Sequence, residues 1–277
     1  MKWIEFCRLN QAIERLPPTR AINLIAKESI DPKIIKIFAL ELSANNLASK
    51  KAFKWIVNAL EVFDEEVEMA IYQHGDIGEG IYHFDESGVD SNLGIDSVLF
   101  ALTMDCSKSD GESFRRFKTL FLEMSALEKK WFLRYWLRTP RNGINVGTVR
   151  KLLAKMYNKK EVEVKKHNRM YDLSELFLYY HRNEEPPDVL KIGRFIKPML
   201  AKAVPKEKWP KDYIMEYKYD GARYQIHRGD SVLIFNRKGK VVTDKFPDIV
   251  ELVNSWNFKE SFIIDTEIYP IESDGKP

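Results

Sequence analysis

Glu216-Tyr217-Lys218-Tyr219-Asp220-Gly221-Ala222-Arg223 is the stretch on which the architecture turns. It joins two short β-rich runs, Tyr213 to Tyr217 and Tyr224 to His227. Two more follow, Val232 to Phe235 and Phe262 to Tyr269. Each run is rich in aromatic and β-branched residues and is bounded by turn formers, so each is predicted to be a strand. Asp244 to Phe258 is predicted to be a helix between the last two. The C-terminal part is therefore expected to be α+β, built around an antiparallel sheet. Within the stretch, Lys-x-Asp-Gly-x-Arg fixes four residue types. A hairpin with an Asp-Gly turn would account for Asp220 and Gly221. It would not account for the lysine before them and the arginine after. At ordinary residue usage, the odds of a chance match in a chain this long are on the order of one in a few hundred.

Nucleophilic chemistry accounts for all four. A lysine amine attacks only when neutral, and its free pKa is about 10.4. Partial burial at a strand end, near another cation, would favour loss of its proton. Gly221 would let the backbone turn sharply and approach a ligand. Arg223 would hold a ribose or phosphate through several donors of fixed geometry. Asp220 would orient the loop and the lysine.

Outward from this stretch the pattern changes. Residues 1 to about 182 read as mostly helical. Ile34, Ile37, Phe38 and Leu42 recur at near-helical spacing, as do Phe53, Ile56, Val57 and Leu60. A strong run extends from Phe114 to Leu137, and another follows Gly147 through Val149, Leu152, Leu153, Met156 and Tyr157. Gly75 to Gly94 is rich in Gly, Asp, Ser and Asn and is predicted to be a loop region. Asn183-Glu184-Glu185-Pro186-Pro187-Asp188 is a cluster of breakers, which places a domain boundary at 183–195.

The 277 residues are 44% hydrophobic and 31% charged, the composition of a globular protein. No apolar run approaches the roughly 18 residues that span a bilayer, and Met1 to Asn10 is broken by Lys2, Glu5 and Arg8, unlike a secretory signal. The expectation is a cytoplasmic protein with no membrane partner. Two cysteines, Cys7 and Cys106, are too few for a multi-cysteine zinc site and are expected to be reduced thiols. The net charge of +3 says little. Its distribution says more: eight Lys and Arg residues lie between Arg150 and Arg169, against Glu161 and Glu163 alone. Such a stretch can track phosphates or form a solvated helix face.

The Lys218 segment resembles the active-site motif of the covalent nucleotidyltransferases: ATP-dependent DNA ligases, RNA ligases and messenger-RNA capping enzymes. The resemblance implies that Lys218 attacks the α-phosphorus of a nucleotide. It also implies that Glu216 helps recognise adenine and Arg223 contacts the sugar. Ile234-Phe235-Asn236-Arg237-Lys238-Gly239 is similar to the next motif of the family, with Arg237 close to the nucleotide and the nicked strand. Phe262-Ile263-Ile264-Asp265-Thr266-Glu267-Ile268 is similar to the third, with Glu267 binding the ribose and helping to place a divalent metal.

The N-terminal half favours the DNA ligases among these families. Gly75-Asp76-Ile77-Gly78-Glu79 is similar to a Gly-Asp-x-Gly-Glu signature of cellular and archaeal-type ligases. Leu137-Arg138-x-x-Arg141-x-Gly143, with Gly147-Thr148-Val149 after it, resembles the region that grips the minor groove. Lys197-Pro198-Met199-Leu200-Ala201 resembles the segment that opens the catalytic domain. Physically, Thr148 is a plausible helix cap, and a helix N-terminus beside Arg138, Arg141 and Arg150 presents N–H groups to phosphate without reading sequence. The DNA-binding candidates are therefore Arg138, Arg141, Gly143, Gly147, Thr148 and Arg150.

The implied fold is multidomain, α plus α+β. An all-helical DNA-binding domain spans 1–182 and a linker spans 183–195. The N-terminal part of an adenylation (nucleotidyltransferase) domain, a partial antiparallel-sheet ATP-grasp-like fold, spans 196–277. The implied cofactors are ATP and Mg²⁺, and the implied partner is nicked duplex DNA. The family's later glutamate and lysine motifs and its oligonucleotide-binding-fold (OB-fold) domain do not follow within the sequence. Either a fragment of a longer protein or one half of a split ligase, with a second polypeptide carrying the rest, fits that departure. By itself the chain is expected to bind DNA and adenylate poorly. A DNA-binding module with an inert nucleotidyltransferase part, or an RNA ligase, are the alternatives.

Overall fold

The computed structural model describes residues 1–270 apart from 44, 46, 86, 108–110, 201, 202, 210, 217 and 219. Residues 271–277, Ala201, Tyr217 and Tyr219 of the segments quoted above therefore lie outside the described residues. Contacts between residues divide the chain into two units, Met1–Pro186 and Pro187–Pro277.

The first unit holds α1 (Trp3–Ile13), α2 (Pro18–Ile25), α3 (Pro32–Phe38), α4 (Ser49–Leu60), α5 (Asp64–His74) and α6 (Ile77–Phe84). It continues with α7 (Ile95–Thr103), α8 (Gly111–Glu123), α9 (Ala126–Trp136), α10 (Val146–Met156), α11 (Glu161–His167) and α12 (Leu173–His181). Among the described residues it contains no strand, only an isolated bridge between Lys2 and Gly94. α9 is the central element, with Trp131, Phe132, Leu133, Tyr135 and Trp136 all buried. Phe117 stacks on Trp136 with ring centroids 4.7 Å apart, and Phe6 meets Tyr135 at 5.5 Å. Such contacts add to the area burial of large rings.

The helical run from Phe114 to Leu137 is two helices, because Ser125 interrupts it. Glu128 reaches back and accepts from the Ser125 backbone N–H and hydroxyl, both at 2.9 Å, which starts a new helix. Gly75 to Gly94 is not all loop, because α6 lies inside it. Gly75 (φ 84°) ends α5 in the left-handed region, and the Asp76 side chain caps α6 by accepting from the N–H groups of Gly78 (2.9 Å) and Glu79 (3.1 Å).

Why so many glycines occur there follows from close packing. A Cβ on Gly78 would lie 2.8 Å from the Lys130 carbonyl oxygen of α9. One on Gly80 would lie 3.0 Å from the backbone of Ala70 in α5. α6 thus packs tightly between two helices. Its acidic residues serve the same joint. Arg134 of α9, nearly buried, pairs with Asp76 (2.7 Å), Glu79 (2.8 Å) and Glu14, which follows α1. Fully buried Lys130 pairs with Glu14 (3.0 Å) and Glu79 (2.8 Å). Burial pushes the Glu14 and Asp76 carboxyls up. Hydrogen bonds from Arg134, and for Glu14 also from Lys130, outweigh it and hold both below the usual range.

The second unit is a three-stranded antiparallel sheet, order β2-β1-β3, made of β1 (Ala222–Arg228), β2 (Val232–Asn236) and β3 (Phe262–Ile268). α13 (Pro247–Ser255) packs on it. Its core is small: Ile226, Val232, Ile234 and Val253. The expected strand at Tyr213 to Tyr217 does not form among the described residues. Tyr213, Ile214 and Met215 have no strand partner and are exposed. Alternating aromatic and apolar residues favour an extended chain, but a strand needs a neighbour to receive its N–H groups. No helix among the described residues is long and apolar enough to cross a membrane.

Candidate functional site

Register brings the ends of the three strands together. β1 pairs Tyr224 with Asn236 of β2 and Arg223 with Glu267 of β3. The start of β1, the end of β2 and the end of β3 therefore lie at one edge of the sheet. A cavity of about 660 Å³ opens there, lined among others by Lys218, Gly221, Arg223, Arg237, Lys238 and Glu267. Four of the five residues expected to bind nucleotide are in this lining. Glu216 is exposed and is not. The four cations around one carboxylate suit an anionic ligand.

Each side chain has a local reason for its place. Asn236 ends β2 and accepts at its Oδ1 from the N–H groups of Lys238 (2.9 Å) and Lys240 (3.0 Å). With Gly239 at φ 80°, this tight turn aims Arg237 and Lys238 at the cavity. Arg223 donates through two nitrogens to the Asp265 carboxylate (Nε to Oδ1, 2.9 Å) and to the Met199 carbonyl (3.1 Å). The fork–fork geometry fixes the guanidinium plane. Asp265, missed as a site residue in the sequence, stands two residues from Glu267 and so on the same strand face. That spacing was the available signal. Lys238, Asn236, Tyr224 and Leu200 were missed as well.

Two expectations about the lysine segment, a sharp turn at Gly221 and partial burial of Lys218, are corrected. Gly221 has no positive φ and leads directly into β1. Glycine is needed because β3 is so close: a Cβ would lie 2.7 Å from the Ile268 carbonyl oxygen and 2.9 Å from Glu267 Cγ. The Gly221 N–H donates to Glu267 Oε1 at 3.2 Å. Lys218 is exposed rather than partly buried. It stands ahead of β1, where strand packing does not cover it.

A metal at this edge would find one carboxylate. Among the described residues no three His, Cys, Asp or Glu side chains form a ready cage. Glu267 with the oxygens of a bound phosphate chain suits Mg²⁺, which takes few protein ligands and keeps its waters.

The helical unit places the other candidates at the N-terminus of α10. Asn145, not Thr148, is the cap: its side chain accepts from the Thr148 N–H at 3.0 Å, and Thr148 is buried one turn in. Asn145 stands at the N-cap position itself, where asparagine is among the preferred residues. The loop before the helix is pinned by a buried set the sequence did not suggest. Asn142 Nδ2 donates to Asn10 Oδ1 (2.6 Å) and to the Tyr135 hydroxyl (2.9 Å). Arg141 and Gly143 are left exposed with φ of 53° and 73°, and Gly147 sits beside them. Arg138 is not part of that surface. Its guanidinium donates to the carbonyls of Tyr135 (2.9 Å), Ser43 (2.9 Å) and Leu102 (3.0 Å), so it ties the loop to the core. Arg150 Nε is a buried donor with no hydrogen-bond partner among the described residues. The basic stretch beyond it exposes Lys151, Lys155, Lys160, Lys165, Lys166 and Arg169 on α10 to α11 and the turn that follows. Cys7 and Cys106 are buried free thiols whose pKa burial raises, which disfavours the thiolate.

Residues 198–277 match the family described as the ATP dependent DNA ligase domain. A "Probable DNA ligase" of Persephonella marina is 29% identical over 98% of this chain and 52% of its own length. A DNA ligase of Thermococcus fumicolans is 29% identical over 83% of this chain and 45% of its own length. "DNA ligase 2" of Methanosarcina mazei is 33% identical over 57% of this chain and 29% of its own length. The chain thus spans about half the length of the first of these relatives.

Proposed function

We propose nick sealing through a lysyl-AMP intermediate, with Lys218 as the nucleophile, for a chain similar to DNA ligases over most of its length and to the ATP dependent DNA ligase domain over residues 198–277. The observation that carries this is the convergence of Lys218, Arg223, Arg237 and Glu267 on one cavity at the edge of the sheet. The neutral Lys218 amine attacks the α-phosphorus of ATP, a P–N bond forms, and pyrophosphate leaves with the electrons of the broken P–O bond. AMP then passes to the 5′-phosphate at a nick. Attack by the 3′-hydroxyl closes the strand and releases AMP. All three steps are in-line displacements, so positioning and charge neutralisation supply most of the catalysis.

Arg223, held flat by Asp265, is assigned to the nucleotide sugar, and Arg237 to the phosphates and nicked strand. Glu216 is assigned to adenine, although it stands outside the cavity lining. A magnesium ion, when bound beside Glu267, would screen the charge building on the phosphate oxygens. The first unit is assigned to the duplex. Arg141, Gly143, Gly147 and Arg150 surround the N-terminus of α10, and the basic face of α10 to α11 extends from it. Contacts of this kind go to backbone phosphates and tolerate any sequence at the nick. Replication, repair and recombination would all use such an activity.

The test is transfer of label from α-³²P-ATP to protein. It is run with the chain alone and with the chain supplied with the C-terminal half of a relative. Acid-labile label that disappears in Lys218→Ala is expected in the supplemented reaction. Label that persists in Lys218→Ala, or none in a reaction that binds nicked duplex, would sink the proposal.

A further inference from the structure

The two faces of β1 are covered by different things. Tyr224 and Ile226 point toward Phe246 and the small core under α13. Arg223, Gln225 and His227 point the other way, and each bonds to the backbone of one segment. His227 Nδ1 accepts from the Gly193 N–H at 3.1 Å. Gln225 accepts from the Ile196 N–H (3.0 Å) and donates to the Ile196 carbonyl (2.7 Å). Arg223 donates to the Met199 carbonyl at 3.1 Å. Two residues along β1 therefore match three along the segment, in the opposite direction. Residues 192–199 lie as a strap along the outer face of the strand.

Apolar anchors seat the same strap. A Cβ on Gly229 would lie 2.9 Å from Ile192 Cγ2, and one on Gly239 would lie 2.7 Å from the Phe195 ring. Phe195 also meets Phe235 with ring centroids 6.0 Å apart. At its far end the strap delivers Leu200 to the lining of the nucleotide cavity. Gln225 and His227 do not line that cavity and are both buried. Two buried polar side chains on a small sheet need partners, and the strap backbone supplies them.

We infer that Gln225 and His227 are positioning residues for the nucleotide cavity, fixing the strap so that Leu200 lines it and the Met199 carbonyl holds Arg223. The inference rests on reading that cavity as the nucleotide site. The rung at His227 carries a condition. Because a backbone N–H points at Nδ1, the ring must be neutral with its proton on Nε2, which faces Gln225 Oε1 at 3.4 Å. The ring's other close neighbour is Phe235 of β2, with centroids 4.8 Å apart. Burial is the cause that holds the His227 pKa below its ordinary value, so the rung is intact at neutral pH. Protonation would set an N–H against an N–H and break it.

The experiment uses the whole chain, ¹⁵N-labelled. Amide exchange at Gly193 and Ile196 is compared with that of Ile234, inside the sheet, as the control for folding. ATP affinity is measured on the same samples by equilibrium dialysis. His227→Phe should speed Gly193 exchange about tenfold at neutral pH, the loss of one hydrogen bond, and weaken ATP binding severalfold. Gln225→Leu should do the same at Ile196. His227→Asn, which keeps an acceptor at the δ position, should restore both readouts. On acidification, after correction for intrinsic rates, wild-type Gly193 should lose protection while His227→Asn keeps it. Equal exchange in wild type and His227→Phe overturns the strap. Faster exchange with unchanged ATP affinity overturns the positioning role. No ATP affinity in the wild type overturns the nucleotide reading and the positioning role with it, while protected Gly193 and Ile196 amides would still establish the strap.

Discussion

At Gly221 a single methyl group decides whether two strands can meet. The 2.7 Å approach to the Ile268 carbonyl oxygen involves backbone on both sides, so neither partner can rotate away. Gly221→Ala should separate the start of β1 from β3 and cost about 1–3 kcal/mol of the second unit's stability, read as a lower denaturation midpoint. Asp265→Asn is the contrasting case. The Arg223–Asp265 pair is about a third exposed on either side, so its loss should move stability by under about 1 kcal/mol. It would, however, leave the Arg223 guanidinium without its fork partner, and ATP binding should weaken. An Asp265→Asn chain with unaltered ATP affinity would count against that role for the pair. At this scale the sequence was informative about which side chains meet: Lys218, Arg223, Arg237 and Glu267, singled out from their motifs, line one cavity. It was uninformative about environment. The burial expected of Lys218 depends on what packs over it, and Arg138 looked like a surface cation until its three carbonyl partners were seen.

Helix α6 shows why a Gly-Asp-x-Gly-Glu segment is hard to read from composition. Its glycines and acids look like loop chemistry, yet the glycines admit α5 and α9 and the acids neutralise Arg134 and Lys130. Only the packing partner distinguishes the two cases. Gly78→Ala sets opposing effects against each other. Helix propensity favours alanine by up to about 1 kcal/mol. The 2.8 Å overlap with the Lys130 carbonyl cannot be relieved by a rotamer, so a net loss of about 1–3 kcal/mol is expected. Arg134→Met should cost more, about 3–5 kcal/mol, because it removes the cation shared by Glu14, Asp76 and Glu79, leaving Lys130 to serve Glu14 and Glu79 and Asp76 with only Arg141 at 3.7 Å. The same network sets an acid limit. Glu14, Asp76 and Asp85 all sit below their ordinary values, Asp85 because hydrogen bonds from Lys129 and Ser87 outweigh its burial. Groups so lowered contribute stability above their unfolded values, which are about 4, and lose it as pH falls through the folded ones. Glu41, pushed up by burial, works in the opposite sense over that window. Exposed Glu61, lowered by a hydrogen bond from Lys118, stands on the side of the lowered groups. With four groups against one, urea midpoints of the first unit should be flat near neutrality and fall below about pH 4. A midpoint that rises there would show that the network is not formed.

Across the whole molecule the two units differ most in what they bury. The first carries a continuous core from Trp3 to Tyr180, with several large aromatic side chains fully buried. Among the described residues the second buries five apolar side chains, Ile226, Val232, Ile234, Phe235 and Val253, of which all but Phe235 form its core cluster. Burial of apolar area is the main favourable term, and small cores leave little margin over chain entropy. Sequence periodicity revealed the helical character of the first unit because its amphipathic stripes are long. It overstated the sheet of the second, since Tyr213 to Met215 form a β-rich run but find no strand partner among the described residues. Denaturation should accordingly proceed in two steps. The second unit, reported by Trp209 and Trp256, should unfold at lower denaturant. The first, reported by Trp3, Trp55, Trp131 and Trp136, should follow in a steeper transition, because the denaturant slope grows with the surface exposed. Replacing Trp209 and Trp256 by Phe, in turn and together, assigns the steps. A single coincident transition in every variant would mean that the small sheet draws its stability from contacts beyond its own core.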